Sequence, residues 1–298
     1  MTERADLRAS AAVLLSGAAW GLFWLPLRWL ETVGITGAWA SLGFFLAAAP
    51  VLLPLLVFRR RAFAEGGLAL LITGALTGVA FLCYALSLLL TDVVRALLLF
   101  YVTPLWGTLL AWLLLGERLT RGRVAALLLA FAGLVTILGT GSEGPARETG
   151  RIGDWLGLIS GLLWAYGSLR IYRQPHGGAL EQGVSFFGWA GLAAIPILFL
   201  LPEAAAGPAP SLDALASAAP LTVVLAALVY LPSISLILWG ATHLDPGRVG
   251  LLLMSEVVVG VASAAALTDE PFGLREILGT GLILSAALVE VALVWRRS

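Results

Sequence analysis

Of the 298 residues, 60% are hydrophobic and 12% charged, and 18 basic residues, all of them arginine, balance 18 acidic ones. A soluble domain keeps about a quarter of its residues charged, so the composition excludes an ordinary water-soluble enzyme. The zero net charge speaks against a nucleic-acid or acidic partner.

Apolar runs of about 18 residues or more recur along the chain, each long enough to cross a ~30 Å hydrocarbon layer. The reading is an all-α integral membrane protein with ten transmembrane helices, at residues 9–30, 37–58, 67–90, 94–115, 123–140, 153–171, 183–201, 219–241, 247–267 and 274–295. The first run ends in LPLRWLETVG, lacks a small-residue cleavage pattern, and reads as a span rather than a cleaved signal peptide. Cys83, the one cysteine, lies in the third run and is expected to be a small packing residue. The fourth run sits inside DVVRALLLFYVTPLWGTLLAWLLLGE (92–117), whose centre holds a proline, a threonine and two amphipathic aromatics. Gly153, Gly157 and Gly161 open the sixth at a spacing that permits close helix contact. Gly/Pro/polar loops are expected at 141–151 and 202–215. Thirteen of the 18 arginines fall on the N-terminal side of the ten-span map, which predicts both termini in the cytoplasm.

Shifting residues 92–117 by 153 places them on DPGRVGLLLMSEVVVGVASAAALTDE (245–270). Asp92, Arg95, Leu98, Leu99, Gly107, Ala111, Leu114 and Glu117 then meet identical residues. A second echo links SGAAWG (16–21) with SGLLWA (160–165). The chain therefore reads as two five-helix repeats, 1–145 and 146–298. An odd number of spans makes the second repeat enter the membrane inverted, which is a transporter signature with a cargo site near midplane.

SGAAWG and the two long motifs ending in LLLGE and LTDE resemble the EamA-type branch of the drug/metabolite transporter superfamily. The resemblance implies two inverted halves around a central cavity, alternating access, and a multi-pass protein of the bacterial inner membrane. The aromatic-rich helices look most like amino-acid exporters, aromatic amino acids included. Other small metabolites or drugs are the alternative cargo, and nucleotide sugars or sugar phosphates a less favoured one. The first helix lacks the membrane glutamate of the small four-helix multidrug relatives, so their proton-exchange mechanism does not carry over.

Most charges fall at predicted interfaces, Arg28 and Glu290 among them. Glu256, nine residues past Gly247, falls about 13–14 Å into its span. A buried ionisable group there is costly and marks a functional site by default. It either holds a substrate ammonium, titrates in coupling, or braces its helix against backbone and hydroxyl groups. The shift places Thr103 opposite Glu256, Tyr101 opposite Met254 and Ala80 opposite Ser233. The expected substrate-binding set is Trp20, Tyr84, Tyr101, Thr103, Trp106, Trp164, Tyr230, Ser233, Trp239 and Glu256, since aromatics with one polar atom suit amphipathic cargo. Pro104 and Pro232 interrupt cavity-side helices and are expected hinges. Glu117 and Glu270 are read as structural, with Thr120 as a cap for the fifth helix.

No catalytic residue, cofactor or metal site is expected. Both histidines, His176 and His243, fall in loops without metal spacing. An intramembrane serine protease needs histidine at depth, and Asp92 and Asp245 lie at opposite membrane faces. Phosphorylated cargo calls for buried arginine or lysine, which the midplane lacks. The partners are thus small-molecule cargo, amino acids first, and the lipid bilayer, with a single chain sufficient.

Overall fold

The computed structural model describes residues 3–116, 120–138, 147–173, 177–244, 246–270 and 272–295. Glu117, Asp245, His176 and most of the 141–151 loop lie outside them, as do the side chains of Pro104, Arg248 and Glu290. The described residues form helices joined by short turns and loops, with no strand among them: in lipid, a helix satisfies every backbone group within its own segment.

The chain runs through α1 (Glu3–Gly21), α2 (Trp24–Thr32), α3 (Ala38–Leu46), α4 (Ala49–Phe58), α5 (Arg60–Leu90), α6 (Val93–Phe100), α7 (Thr103–Leu115) and α8 (Arg121–Leu138). It continues with α9 (Arg147–Arg173), α10 (Ala179–Leu200), α11 (Glu203–Ala206), α12 (Leu212–Val224), a π-helical turn Leu225–Tyr230, α13 (Leu231–Ala241), α14 (Pro246–Leu267) and α15 (Leu274–Trp295). By length and apolarity alone, the described residues hold five helical stretches able to cross a membrane, and six if the bent pair α3–α4 counts as one. The remaining helices α8, α9, α14 and α15 occupy the other apolar stretches of the sequence.

Several expected helices are broken, each for a local reason. The first stops at Gly21 and restarts at Trp24. The fourth breaks at Tyr101 and Val102, and Pro104 takes the second position of α7, where its missing N–H costs nothing. The α3–α4 bend of 42° precedes Pro50 in the first turn of α4. In the eighth, the hydrogen-bond register slips to a π turn just before Pro232. Within α5, Gly67 takes φ +54, a conformation that side chains rarely adopt. The expected 202–215 loop is shorter, because it contains α11 and because the Ser211 hydroxyl accepts from the Ala214 N–H to start α12.

In lipid the apolar effect does not hold helices together, so close packing by small residues must contribute. Helix α5 packs on α9 and α10, α8 on α15, α1 on α13 and α14, and α9 on α6 and α7. Glycines stand at these crossings. Gly78 of α5 abuts the Phe186 carbonyl and the Ala190 N–H of α10. A Cβ on Gly157 would lie 3.0 Å from that of Leu99, and one on Gly161 2.7 Å from the Phe100 oxygen, so the glycine ladder is a contact surface. Between the helices, Trp20, Phe23, Phe44, Phe81, Phe186 and Tyr230 form edge-on ring pairs at 4.8–6.0 Å. Such pairs contribute about 0.5–1.5 kcal/mol each beyond their area.

Candidate functional site

Near the breaks in the first and fourth expected spans lies a cavity of about 140 Å3. Trp20 of α1 closes it just before the first break, and Phe100, Tyr101 and Thr103 meet it across the second. Phe81, Trp164, Ile234, Ile237, Leu253 and Met254 supply the rest of an apolar wall, and Glu256 of α14 is the one ionisable carboxyl in it. No arginine or histidine lines the cavity among the described residues.

Glu256 is 5% exposed. Its Oε2 accepts from the Tyr101 hydroxyl at 2.8 Å, and the same hydroxyl lies 3.2 Å from the Leu253 carbonyl oxygen. Its Oε1 has no partner among the described residues, and neither has the Trp20 indole N–H. More than nine in ten buried polar groups are normally satisfied. An unmet acceptor and an unmet donor among the residues of one cavity therefore mark it for a ligand. The Thr103 hydroxyl is already committed to the Phe100 carbonyl. Tyr101 can occupy this position because α6 ends there: its φ/ψ of −76°/7° turns the chain and directs the ring across to α14.

The cavity thus brings together Trp20, Tyr101, Thr103, Trp164 and Glu256 of the expected set. Tyr84 stands one layer behind, stacked on Phe100 at 4.7 Å, and Tyr230 packs in the aromatic cluster against Trp20 at 4.9 Å. Ser233 is buried on α13 but does not line the cavity. Trp239 lies farther along α13, on His243 at 4.5 Å, and Trp106 is half-buried on α7 with its indole N–H unpaired. Neither reaches the cavity. Helix depth places these residues at a similar level; the direction each faces depends on the rotation of its helix, which the breaks reset. Sequence reasoning misses Phe81, Phe100, Ile234, Ile237 and Leu253, although the 153-residue shift pairs Phe81 with Ile234 and Phe100 with Leu253.

At the face reached by α2, opposite the N-terminus, charges tie the helices together. Arg95 holds Asp154 of α9 with two bonds of 2.6 Å, and the Thr91 hydroxyl donates to the same carboxylate at 3.1 Å. Arg28 reaches the Thr91 carbonyl at 3.1 Å, Glu31 at 3.5 Å and Glu270 at 3.4 Å. Glu270 also accepts from the Val93 N–H at 2.6 Å, which caps α6 from a different helix pair. Burial nevertheless pushes the Glu270 carboxyl above its ordinary range, against the lowering effects of Val93 and Arg28. At the other face Arg59 binds Glu181, a fully buried carboxylate in the first turn of α10, at 2.6 and 2.8 Å. The described residues bring no three metal-ligating side chains together.

Residues 7–139 match the EamA-like transporter family. A protein of Escherichia coli (strain K12) described as a probable amino-acid metabolite efflux pump is 27% identical over 190 residues, 61% of this chain and 62% of its own. The chain therefore spans less than two thirds of that relative's length. A solved crystal structure matches 97% of this chain and 99% of its own with a TM-score of 0.51 at 19% identity, a likeness of fold alone.

Proposed function

With residues 7–139 belonging to the EamA-like transporter family, within the drug/metabolite transporter superfamily, we propose that the chain exports amino acids, aromatic ones included, by alternating access through the central cavity. The observation that carries this reading is the unmet Glu256 carboxylate oxygen in an aromatic pocket. It offers a charge-assisted bond to a substrate ammonium, while Trp20, Phe81, Phe100 and Trp164 offer ring faces to an apolar side chain. The description of the E. coli relative as an amino-acid metabolite efflux pump supports the same cargo class. Phosphate-bearing cargo is disfavoured because no arginine of the described residues lines the pocket.

Ten spans as two inverted repeats, 1–145 and 146–298, with both termini cytoplasmic in a bacterial inner membrane, complete the proposal. The cavity wall supports it. Phe81 and Ile234, Phe100 and Leu253, Tyr101 and Met254, and Thr103 and Glu256 are related by the 153-residue shift, and Trp20 and Trp164 by the shorter shift of the SG-x-x-W motif. The helix crossings follow the same exchange: Gly17 faces Leu253, and Gly161 faces Phe100. Arg28–Glu270 and Arg95–Asp154 each join the two repeats at the face opposite the N-terminus, so opening that face requires breaking both pairs. Pro104 and Pro232, beside a helix break and a π turn, are then the hinges.

The test is uptake of labelled phenylalanine, leucine and glutamate by the full chain in liposomes, with and without a proton gradient. Uptake of phenylalanine above protein-free vesicles is expected. Movement of a nucleotide sugar with none of any amino acid would overturn the cargo assignment.

A further inference from the structure

The cavity has an unusual charge balance, and the selectivity inferred from it rests on reading that cavity as the cargo site. Glu256 is its one ionisable carboxyl, and no basic side chain of the described residues lines it. Of the described arginine side chains on the lining helices, none lines the cavity. Arg95 is clamped by Asp154 with two bonds. Arg170, whose Nε is buried without a partner among the described residues, lies outside the lining, six residues beyond Trp164 on α9 and about 9 Å along the axis. The hydroxyls are committed as well: Tyr101 donates to Glu256, and Thr103 to the Phe100 carbonyl. Two indole N–H groups among the lining residues, those of Trp20 and Trp164, are the unpaired donors, and both are neutral.

A cargo with a single positive head forms one ion pair with Glu256 and leaves the pocket neutral. A zwitterionic amino acid brings the same ammonium together with a carboxylate. That carboxylate meets no cation of the described residues and only two neutral indole donors, in a pocket walled by rings and aliphatic chains. Burying an uncompensated charge is far costlier than burying a paired one. From the unmet Glu256 oxygen and the absence of any lining cation among the described residues, we propose that the cavity selects aromatic amines lacking a free carboxylate, such as amino-acid amides and decarboxylated amines, over the parent amino acids. The amino acids are then carried as weaker members of the same series. The rings of Trp20, Phe81 and Trp164 line the same cavity, and aromatic rings attract a cation more than a neutral head.

The test is calorimetric titration of the full chain in lipid nanodiscs, with empty nanodiscs subtracted, using four probes that share one aromatic body. These are phenethylamine, phenylalaninamide, phenylalanine and hydrocinnamate. Both amines are expected to bind about tenfold or more tightly than phenylalanine, with hydrocinnamate weakest. Glu256→Gln is expected to lower amine affinity until phenethylamine and phenylalanine are within about twofold; the comparison on the unaltered protein stands even if that variant folds poorly. Phenylalanine binding as tightly as the amines overturns this selectivity and leaves amino-acid export standing. A tenfold gap that survives in a folded Glu256→Gln also overturns it. Binding of none of the four overturns both the selectivity and the reading of the cavity.

Discussion

Gly21→Ala tests whether the α1–α14 crossing positions the cavity carboxylate. A Cβ at residue 21 would fall 2.5 Å from the Glu256 carbonyl oxygen, 2.9 Å from the Gly260 nitrogen and 3.1 Å from the Val259 Cβ. Two of these three atoms are backbone, so no rotamer change relieves the contact. Ordinary Cβ contacts begin at 3.4 Å, so the oxygen must retreat by roughly 0.9 Å and take the Glu256 side chain with it. Overpacking of this kind costs about 1–3 kcal/mol, while alanine in a helix recovers up to ~1 kcal/mol. Gly17→Ala, one turn earlier, cancels the propensity gain. Its Cβ would meet the Ser255 hydroxyl at 2.5 Å, a side-chain atom that can rotate away by giving up its bond to the Leu14 carbonyl, and its nearest backbone atom is at 3.6 Å. The difference between the two variants therefore isolates the steric contribution. Thermal unfolding in detergent should place Gly21→Ala about 1–3 kcal/mol below Gly17→Ala, at some 2–4 °C per kcal/mol. Phenethylamine affinity should fall in Gly21→Ala and hold in Gly17→Ala. Equal midpoints and equal affinities would refute the idea that backbone contact at this crossing holds Glu256 in place.

The contacts of Glu256 and Glu270 set two further expected outcomes. Tyr101→Phe removes the 2.8 Å bond to Glu256 and leaves a buried carboxyl without a side-chain donor among the described residues. A double-mutant cycle with Glu256→Leu, which leaves no side-chain acceptor for the Tyr101 hydroxyl, should give a coupling of about 1–3 kcal/mol in chemical denaturation, and a coupling near zero contradicts the contact. For Glu270, burial raises the folded carboxyl above its ordinary value of 4.5. The folded state then binds more protons than the unfolded one between those two values. Its contribution to stability is complete below the unfolded value and is lost as pH rises through the folded one. Denaturation midpoints measured upward from about pH 4 should fall more steeply in the parent protein than in Glu270→Gln. Identical slopes would show that burial does not govern this group.

The all-helical membrane class was legible in the sequence because apolar length and scarce charge leave few other ways to satisfy the backbone in lipid. Glu256 was legible for a related reason: an acid near the middle of a 22-residue apolar helix is conspicuous without any structure. The shift by 153 residues also pointed to Tyr101 and Thr103, since it places them beside Met254 and Glu256. The aromatics are less legible. Trp20 and Trp164 reach the cavity, whereas Trp239, equally plausible by depth, packs on His243 at one end of α13.

What separates them is helix rotation, and rotation is not encoded in depth. The breaks at Leu22–Phe23 and Tyr101–Val102, and the π turn before Pro232, each change the direction in which later side chains face. A proline signals that a helix will be disturbed near it, but not which residues will turn toward the interior. The apolar segments, their near-repetition and the carboxylate in the middle of α14 follow from residue type and spacing along a single chain. Helix packing brings Tyr101 across to Glu256, sets Glu270 as the cap of α6, and leaves no cation of the described residues in the cavity lining beside the carboxylate. Those facts depend on distances between residues 155 or 177 positions apart, which only helix packing sets.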